Sequence, residues 1–264
     1  MLGAIAGDII GSIHEFGLPP GPDTPLFAAE SHYTDDTLLT LATAHCLLDG
    51  LDYAESYRQA CLDNPRQAWG TRFRAWAEQP PPAPAYDSLG NGSAMRVSPI
   101  GWWAEDADMA IAEATRSAEV THNHPEGIRG AVATALAVFM ARHGAAAGDI
   151  AAAVYSECGY VVAQPFDYWL EHSHYNETCA GTVPPALGIA LLGQNFESVM
   201  KMALALDADS DTLACIAGGV AEARFGVPEW IRREVEQRLA PEQLALLARF
   251  YRSVNLHGVV FDGV

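Results

Sequence analysis

The chain is poor in positive charge: Lys201 is its only lysine, and 33 acidic residues stand against 15 basic ones, for a formal charge of -18. The arginines are scattered, with Arg232-Arg233 the tightest pair. This balance repels a phosphate backbone and argues against nucleic acid as a partner, so any phosphate-bearing ligand needs metal ions and helix N-termini to hold it. Cysteine is sparse and unpatterned. Cys46, Cys61, Cys158, Cys179 and Cys215 are odd in number and include no Cys-x-x-Cys pair, which points away from a disulfide framework or zinc ribbon and fits a reducing compartment. No apolar run reaches membrane-spanning length, and the opening residues lack a basic segment and meet Asp8 before an apolar signal core can form. A cytoplasmic protein with no membrane association is therefore expected. Long runs that alternate apolar and polar residues are also missing, which excludes an extended half-buried sheet.

What is present is a chain of 264 residues, half of them hydrophobic, enough to bury a sizeable core. Gly3-Ala4-Ile5-Ala6-Gly7-Asp8-Ile9-Ile10-Gly11-Ser12 places small residues four apart, a stripe that lets a second helix approach closely, with Asp8 and Glu15 able to share a face. A proline-rich loop fills 16–32. The pattern then predicts helices over 35–48, 53–62, from 65 or 66 to 77, 106–118, 126–142 and 149–160. An irregular aromatic stretch over 165–176 follows. Pro184-Pro185 opens a helix to about residue 192, and further helices span 196–206, 213–225, 228–238 and 241–254. Pro80-Pro81-Pro82-Ala83-Pro84 is an extended connection, and Val259-Val260-Phe261 is too short to define a sheet. The expected fold is all-α, with helix termini and loops building the site.

Two acidic clusters dominate the search for chemistry. Thr34-Asp35-Asp36-Thr37 and Asp209-Ser210-Asp211-Thr212 each run straight into an apolar helical segment. At a helix start the free N–H groups and the dipole favour carboxylates, and Thr or Asp can cap the chain. If the clusters converge, their crowded oxygens form the donor set that hard divalent cations prefer, which points to a metal-dependent hydrolase. Asp209-Ser210-Asp211-Thr212 lacks the glycine and terminal glutamate of a calcium loop. Gly90-Asn91-Gly92-Ser93 matches no common nucleotide fingerprint, yet its glycines let backbone N–H groups approach an anion. Thr121-His122-Asn123-His124-Pro125 has no zinc-site partner pattern; His122 suits a hydrogen bond to phosphate or sugar, and His124 suits ordering the turn.

In this order, Gly3-Ala4-Ile5-Ala6-Gly7-Asp8, Thr34-Asp35-Asp36-Thr37, Gly90-Asn91-Gly92-Ser93-Ala94-Met95-Arg96, Thr121-His122-Asn123-His124-Pro125 and Asp209-Ser210-Asp211-Thr212 resemble the motifs of the ADP-ribosylglycohydrolase family. The resemblance spans nearly the whole chain. It implies a compact single-domain orthogonal helical bundle over residues 1–264, with two divalent cations, Mg2+ or Mn2+. By position, Thr34, Asp35, Asp36, Asp209, Asp211 and Thr212 resemble the metal ligands, while Glu15 matches a glutamate near the metals and the scissile ribose. Gly90, Asn91, Gly92 and Ser93 resemble a loop that touches diphosphate and distal ribose, and His122 resembles a substrate-contacting histidine. One departure stands out: Asp207-Ala208 occupies the place of two glycines before the second acidic motif.

The resemblance implies hydrolysis of an N- or O-glycosidic bond that joins ADP-ribose to an acceptor, with protein arginine first and a small ADP-ribosyl compound also considered. By the same resemblance Asp36 or Asp211 is the candidate to hold both ions, and Glu15 or Asp209 is the candidate acceptor of the water proton. The rivals are a metal phosphohydrolase, in which His122 or His124 binds metal, and a noncatalytic ADP-ribose-binding protein. A monomer is the expected state.

Overall fold

The computed structural model describes residues 1–254; the Val259-Val260-Phe261 segment lies outside the described residues. The described chain forms α1 (Leu2–Gly11), α2 (Asp35–Asp49), α3 (Tyr53–Asp63), α4 (Thr71–Ala77), α5 (Gly92–Met95), α6 (Ser98–Trp103), α7 (Ala107–Glu119) and α8 (Pro125–Arg142). Beyond these come α9 (Ala147–Cys158), α10 (Phe166–His172), α11 (Cys179–Leu192), α12 (Phe196–Ala205), α13 (Ser210–Phe225), α14 (Glu229–Glu236) and α15 (Pro241–Ser253). Among the described residues the one β pairing is an isolated antiparallel bridge between Gly90 and Thr178, so the fold is all-helical.

The small-residue stripe of α1 does what its spacing suggests. All ten residues of this helix are buried, and it packs most extensively against α13. A Cβ added at Gly7 would lie 1.9 Å from the Ala214 carbonyl oxygen, and one at Gly3 or Gly11 would lie 2.3 Å from the carbonyl oxygen of Gly218 or Ser210. Only glycine lets the two backbones come this close, and the last of these contacts sets Gly11 against Asp211 at the start of α13. Glu222 of α13 fastens the other end. Its carboxylate accepts from the Met1 ammonium, from Gly3 N at 2.8 Å and from the Tyr251 hydroxyl of α15. Around this pair, α8, α11 and α12 complete a core whose central helices α8 and α13 are buried almost all round.

Several expectations change. Glu15 does not continue α1, which ends at Gly11; it follows in a turn. The helix expected from 65 or 66 starts at Thr71, because the Trp69 indole donates to the Asn64 carbonyl at 2.8 Å and stacks on Phe73, holding a turn ahead of it. The aromatic stretch includes a real helix, α10, whose Trp169 packs against Gly188. Pro184 and Pro185 lie inside α11 rather than at its start. The turn before them is closed by Thr178, whose hydroxyl accepts from Gly181 N at 3.1 Å and whose carbonyl accepts from Thr182 N at 3.0 Å. Helix α6, opened by Pro99, has no counterpart in the sequence-based expectations.

Candidate functional site

Both acidic clusters lie at helix N-termini, as their sequence context suggests, but the two starts are built differently. At α2, Thr34 is the cap and its hydroxyl accepts from Asp36 N at 3.3 Å. Beneath it sits Asp8, fully buried on α1, whose carboxylate accepts from Thr34 N at 2.9 Å, Thr34 Oγ1 at 2.8 Å, Thr37 N at 3.1 Å and the Thr37 hydroxyl. Asp8 thus spends its oxygens on orienting the α2 start. At α13 the N-cap residue Asp209 makes no side-chain cap. Its Oδ2 instead accepts from Asn91 Nδ2 at 2.7 Å, and the same amide nitrogen donates to Thr182 Oγ1 at 3.0 Å.

Asp35 and Asp36 from α2, Asp209, Asp211 and Thr212 from the α13 start, and Glu15 from the turn after α1 all line one cavity of about 550 Å³. Glu15, Asp209 and Asp211 each place a carboxylate oxygen within 4.8 Å of the other two, so this group can hold one divalent cation. Thr212 Oγ1 reaches Asp36 Oδ1 at 3.4 Å, linking the two helix starts. Asp36 Oδ2 is buried and accepts no hydrogen bond from any described residue, and among the described residues no cation pairs with these acids. An orphaned buried carboxylate oxygen is costly, and a hard cation ligated by oxygen relieves that cost, so the donor set fits a divalent metal.

The crowding is visible in the protonation behaviour. Burial, then Asp211 and Glu177, push the Glu15 carboxyl up to about 7. Burial and Asp211 also push Asp8 up to about 7, against the opposing hydrogen bonds from Thr37 and Thr34. Asp35, Asp36 and Asp209 are driven well above the usual carboxylate range by burial first and the Asp211 charge second.

The same cavity is also lined by Trp69, Arg72, Phe73, Tyr86, Gly90, Asn91, Gly92 and His122. The 90–93 loop is held by Asn91 N donating to the Glu177 carbonyl at 2.8 Å and by Cys179 N donating to the Leu89 carbonyl at 3.0 Å. Ser93 and Thr34 do not line the cavity. Ser93 is fully buried and donates to the Gly127 carbonyl at 2.7 Å, while the Thr34 hydroxyl serves Asp8 and Asp36. His124 caps α8, its Nδ1 accepting from Glu126 N at 3.0 Å, which is the turn-ordering place expected for it. Asp207 is exposed, and Asp207 and Ala208 both keep negative φ, so the residues standing where glycines were expected impose no left-handed strain and aim the extra charge at solvent. At the mouth, the exposed Phe16 ring lies 6.4 Å from Tyr175, whose hydroxyl donates to Glu177 at 2.7 Å.

Sequence reasoning missed Asp8 as the organiser of the α2 start, Thr182 as the second support of Asn91, and the aromatic wall of Trp69 and Phe73. An aspartate inside the glycine stripe of α1 was the one visible signal; nothing in the sequence singles out Thr182.

An all-helical bundle in which the N-termini of two helices distant in sequence bring carboxylates to one cavity defines a class of sites whose oxygen donors could hold a divalent cation. Residues 1–258 match the ADP-ribosylglycohydrolase family, and the chain belongs to that family. It is 29% identical over 184 residues to mouse ADP-ribosylhydrolase ARH3, a match covering 56% of this chain and 50% of that protein. It is 26% identical over 282 residues to the ADP-ribosylarginine hydrolase Tri1 of Pseudomonas putida (strain GB-1), covering 88% of this chain and 72% of that protein. The match thus spans about half the length of the mouse relative. A solved structure described as an ADP-ribosylglycohydrolase-related protein complex superimposes with a TM-score of 0.71 at 24% identity, over 96% of this chain and 97% of that one, and shares the fold. No helix among the described residues is long and apolar enough to cross a membrane.

Proposed function

We propose that the chain is one ADP-ribosylglycohydrolase domain that hydrolyses the glycosidic bond between ADP-ribose and an acceptor, with ADP-ribosylated protein arginine the first substrate to test. The reading is carried by one observation: carboxylates from the α2 and α13 starts share a cavity with Glu15, and Asp36 Oδ2 among them is buried with no N–H or O–H donor among the described residues. The resemblance to an ADP-ribosylarginine hydrolase over 88% of this chain favours arginine as acceptor.

Asp35, Asp36, Asp209, Asp211 and Thr212 would hold two divalent cations, Mg2+ or Mn2+, with Thr34 supporting the set from beneath; Glu15 would ligate or stand beside them. Bound cations would supply Lewis acidity and offset charge that develops as the acceptor leaves. The chain's own residues do the rest. Asn91 fixes Asp209 through one short hydrogen bond, keeping a carboxylate oxygen aimed at the cavity. Glu15, half-buried on a turn at the cavity edge, can take the proton of an attacking water, with Asp209 the alternative acceptor. Beyond the acids, Trp69, Phe73, Tyr86, Gly90, Asn91 and Gly92 give the cavity the polar and aromatic lining that a diphosphate and adenine need. No histidine joins the acidic cluster among the described residues, and His124 is committed to the α8 cap, which weakens the phosphohydrolase alternative.

The test incubates metal-reconstituted protein with arginine-, serine- and nucleotide-linked ADP-ribose and identifies products by mass. Intact ADP-ribose plus unmodified acceptor is expected, with Asp36→Ala and Asp211→Ala each lowering the rate by about a thousandfold. Release of phosphate would favour a phosphohydrolase. Binding of metal and ADP-ribose with no cleavage in any linkage would favour a binding protein.

A further inference from the structure

The cavity lining includes a buried arginine that pairs with no carboxylate among the described residues. Arg96 is wholly buried, its guanidinium carbon 4.1 Å from the Tyr57 ring centroid. Its Nη2 donates to the Ser117 carbonyl at 2.6 Å and to Thr121 Oγ1 at 3.1 Å. A guanidinium has donors and no acceptor, so at the second contact the Thr121 oxygen must accept. Thr121 is itself fully buried, and among the described residues its hydroxyl has one further partner, His122 Nδ1 at 2.7 Å. The single hydroxyl proton therefore has one acceptor within reach. If Nδ1 carried a proton of its own, the Thr121 oxygen would have to accept from both Arg96 and His122, and its own proton would be left unpaired in a dry interior.

We infer that Arg96 and Thr121 are positioning residues that lock His122 in the tautomer protonated on Nε2, so that the ring presents a fixed N–H donor to the cavity. The opposite edge of the ring is placed for this. A Cβ built on Gly92 would lie 3.2 Å from Nε2 and one on Gly90 would lie 3.6 Å from it, so Nε2 faces the glycine loop that borders the cavity. Gly127 lies close against the base of the side chain, since a Cβ there would lie 2.9 Å from the His122 Cβ. The charged groups acting on the ring are both cations, Arg96 and Arg72, and the nearby aromatic is Tyr86, whose centroid lies 6.0 Å away. Burial first, then these two arginines, hold the ring neutral. A neutral imidazole with its proton fixed on Nε2 binds an oxygen acceptor, a phosphate or a ribose hydroxyl, and does not serve as a base there. That the acceptor belongs to an ADP-ribosyl ligand rests on the function proposed above; the tautomer does not.

The experiment records long-range 15N–1H spectra of the full chain with histidine-ring 15N labelling, the His122 signal being assigned by its loss in His122→Gln. The wild-type protein is expected to show an unprotonated, hydrogen-bond-accepting Nδ1 and a protonated Nε2, unchanged from about pH 6 to about pH 8. In Thr121→Val, which removes the hydroxyl at nearly constant volume, the Nδ1 and Nε2 signals move towards each other as the tautomers mix, and Thr121→Ser restores them. By calorimetry ADP-ribose binds about tenfold more weakly to Thr121→Val, with recovery in Thr121→Ser. A proton on Nδ1 in the wild-type spectrum overturns the inference even if Thr121→Val does not fold, and so does an unaltered spectrum in Thr121→Val. The expected wild-type spectrum in a protein that binds no ADP-ribose supports the tautomer lock and overturns the proposed substrate instead.

Discussion

Two side chains that ligate nothing in the acidic cluster decide its geometry. Asp8 and Asn91 lie on elements distant in sequence from the α13 start, yet one orients the first acidic helix and the other holds Asp209. Asn91→Ala leaves the carboxylates in place but frees Asp209, so metal affinity and turnover are expected to fall about 10- to 100-fold with little change in melting temperature. Metal titration by calorimetry alongside a thermal melt checks this; an unaltered affinity would reduce Asn91 to a loop-packing residue. The carboxylate-rich motifs are legible in the sequence because hard-cation chemistry demands oxygen donors in number. The supports are not, because a buried Asp, Asn or Thr has the same composition signature whether it holds a ligand or a turn. Thr182 and the pairing of Arg96 with Thr121 exist only once the chain has folded.

At the scale of elements, the contact between α1 and α13 carries both stability and site geometry, since Gly11 of one meets Asp211 of the other. Gly7→Ala forces a methyl to within 1.9 Å of a carbonyl oxygen, which the two helices can accommodate only by separating. A loss of about 3 kcal/mol or more is expected in urea unfolding. Gly17→Ala, in open space, is expected to stay within about 0.5 kcal/mol of the wild type. Equal effects from the two would mean that the close approach is not what glycine serves. That a second helix comes close to α1 was readable from four-residue spacing, though not that α13 is that helix; the helices opened by Pro125 and Pro241 were readable too. Helix α10 and the opening of α11 before Pro184 were not, for a physical reason. Proline and aromatic clusters weaken a helix locally, and here tertiary packing of Trp169 on Gly188 and the Thr178 cap outweigh that weakness.

For the whole molecule, the concentration of buried acids couples stability to pH and to metal. Asp8 rises from an ordinary 3.8 to about 7 and Glu15 from 4.5 to about 7. A carboxyl whose folded pKa lies above its unfolded value adds stability that is complete below the unfolded pKa and is lost as pH rises through the folded one. The chelated protein is therefore expected to melt at a progressively lower temperature between about pH 4 and about pH 7, and a divalent cation, by favouring the ionised acids, to shrink that drop. Scanning calorimetry with and without chelator is the check, and a chelated melting temperature that climbs over this range would contradict it. The all-helical architecture was readable from the missing strand pattern. The arrangement of the helices was not, because only folding brings α1 against α13. That arrangement has a consequence for biosynthesis. The wholly buried α1 leaves the ribosome some 200 residues ahead of its main partner, a wait of about 10 to 40 s at ordinary elongation rates. Through that interval α2 alone among its packing partners is available to cover it, so the face that meets α13 stays open and the synthesis of α13 is the step that closes the molecule.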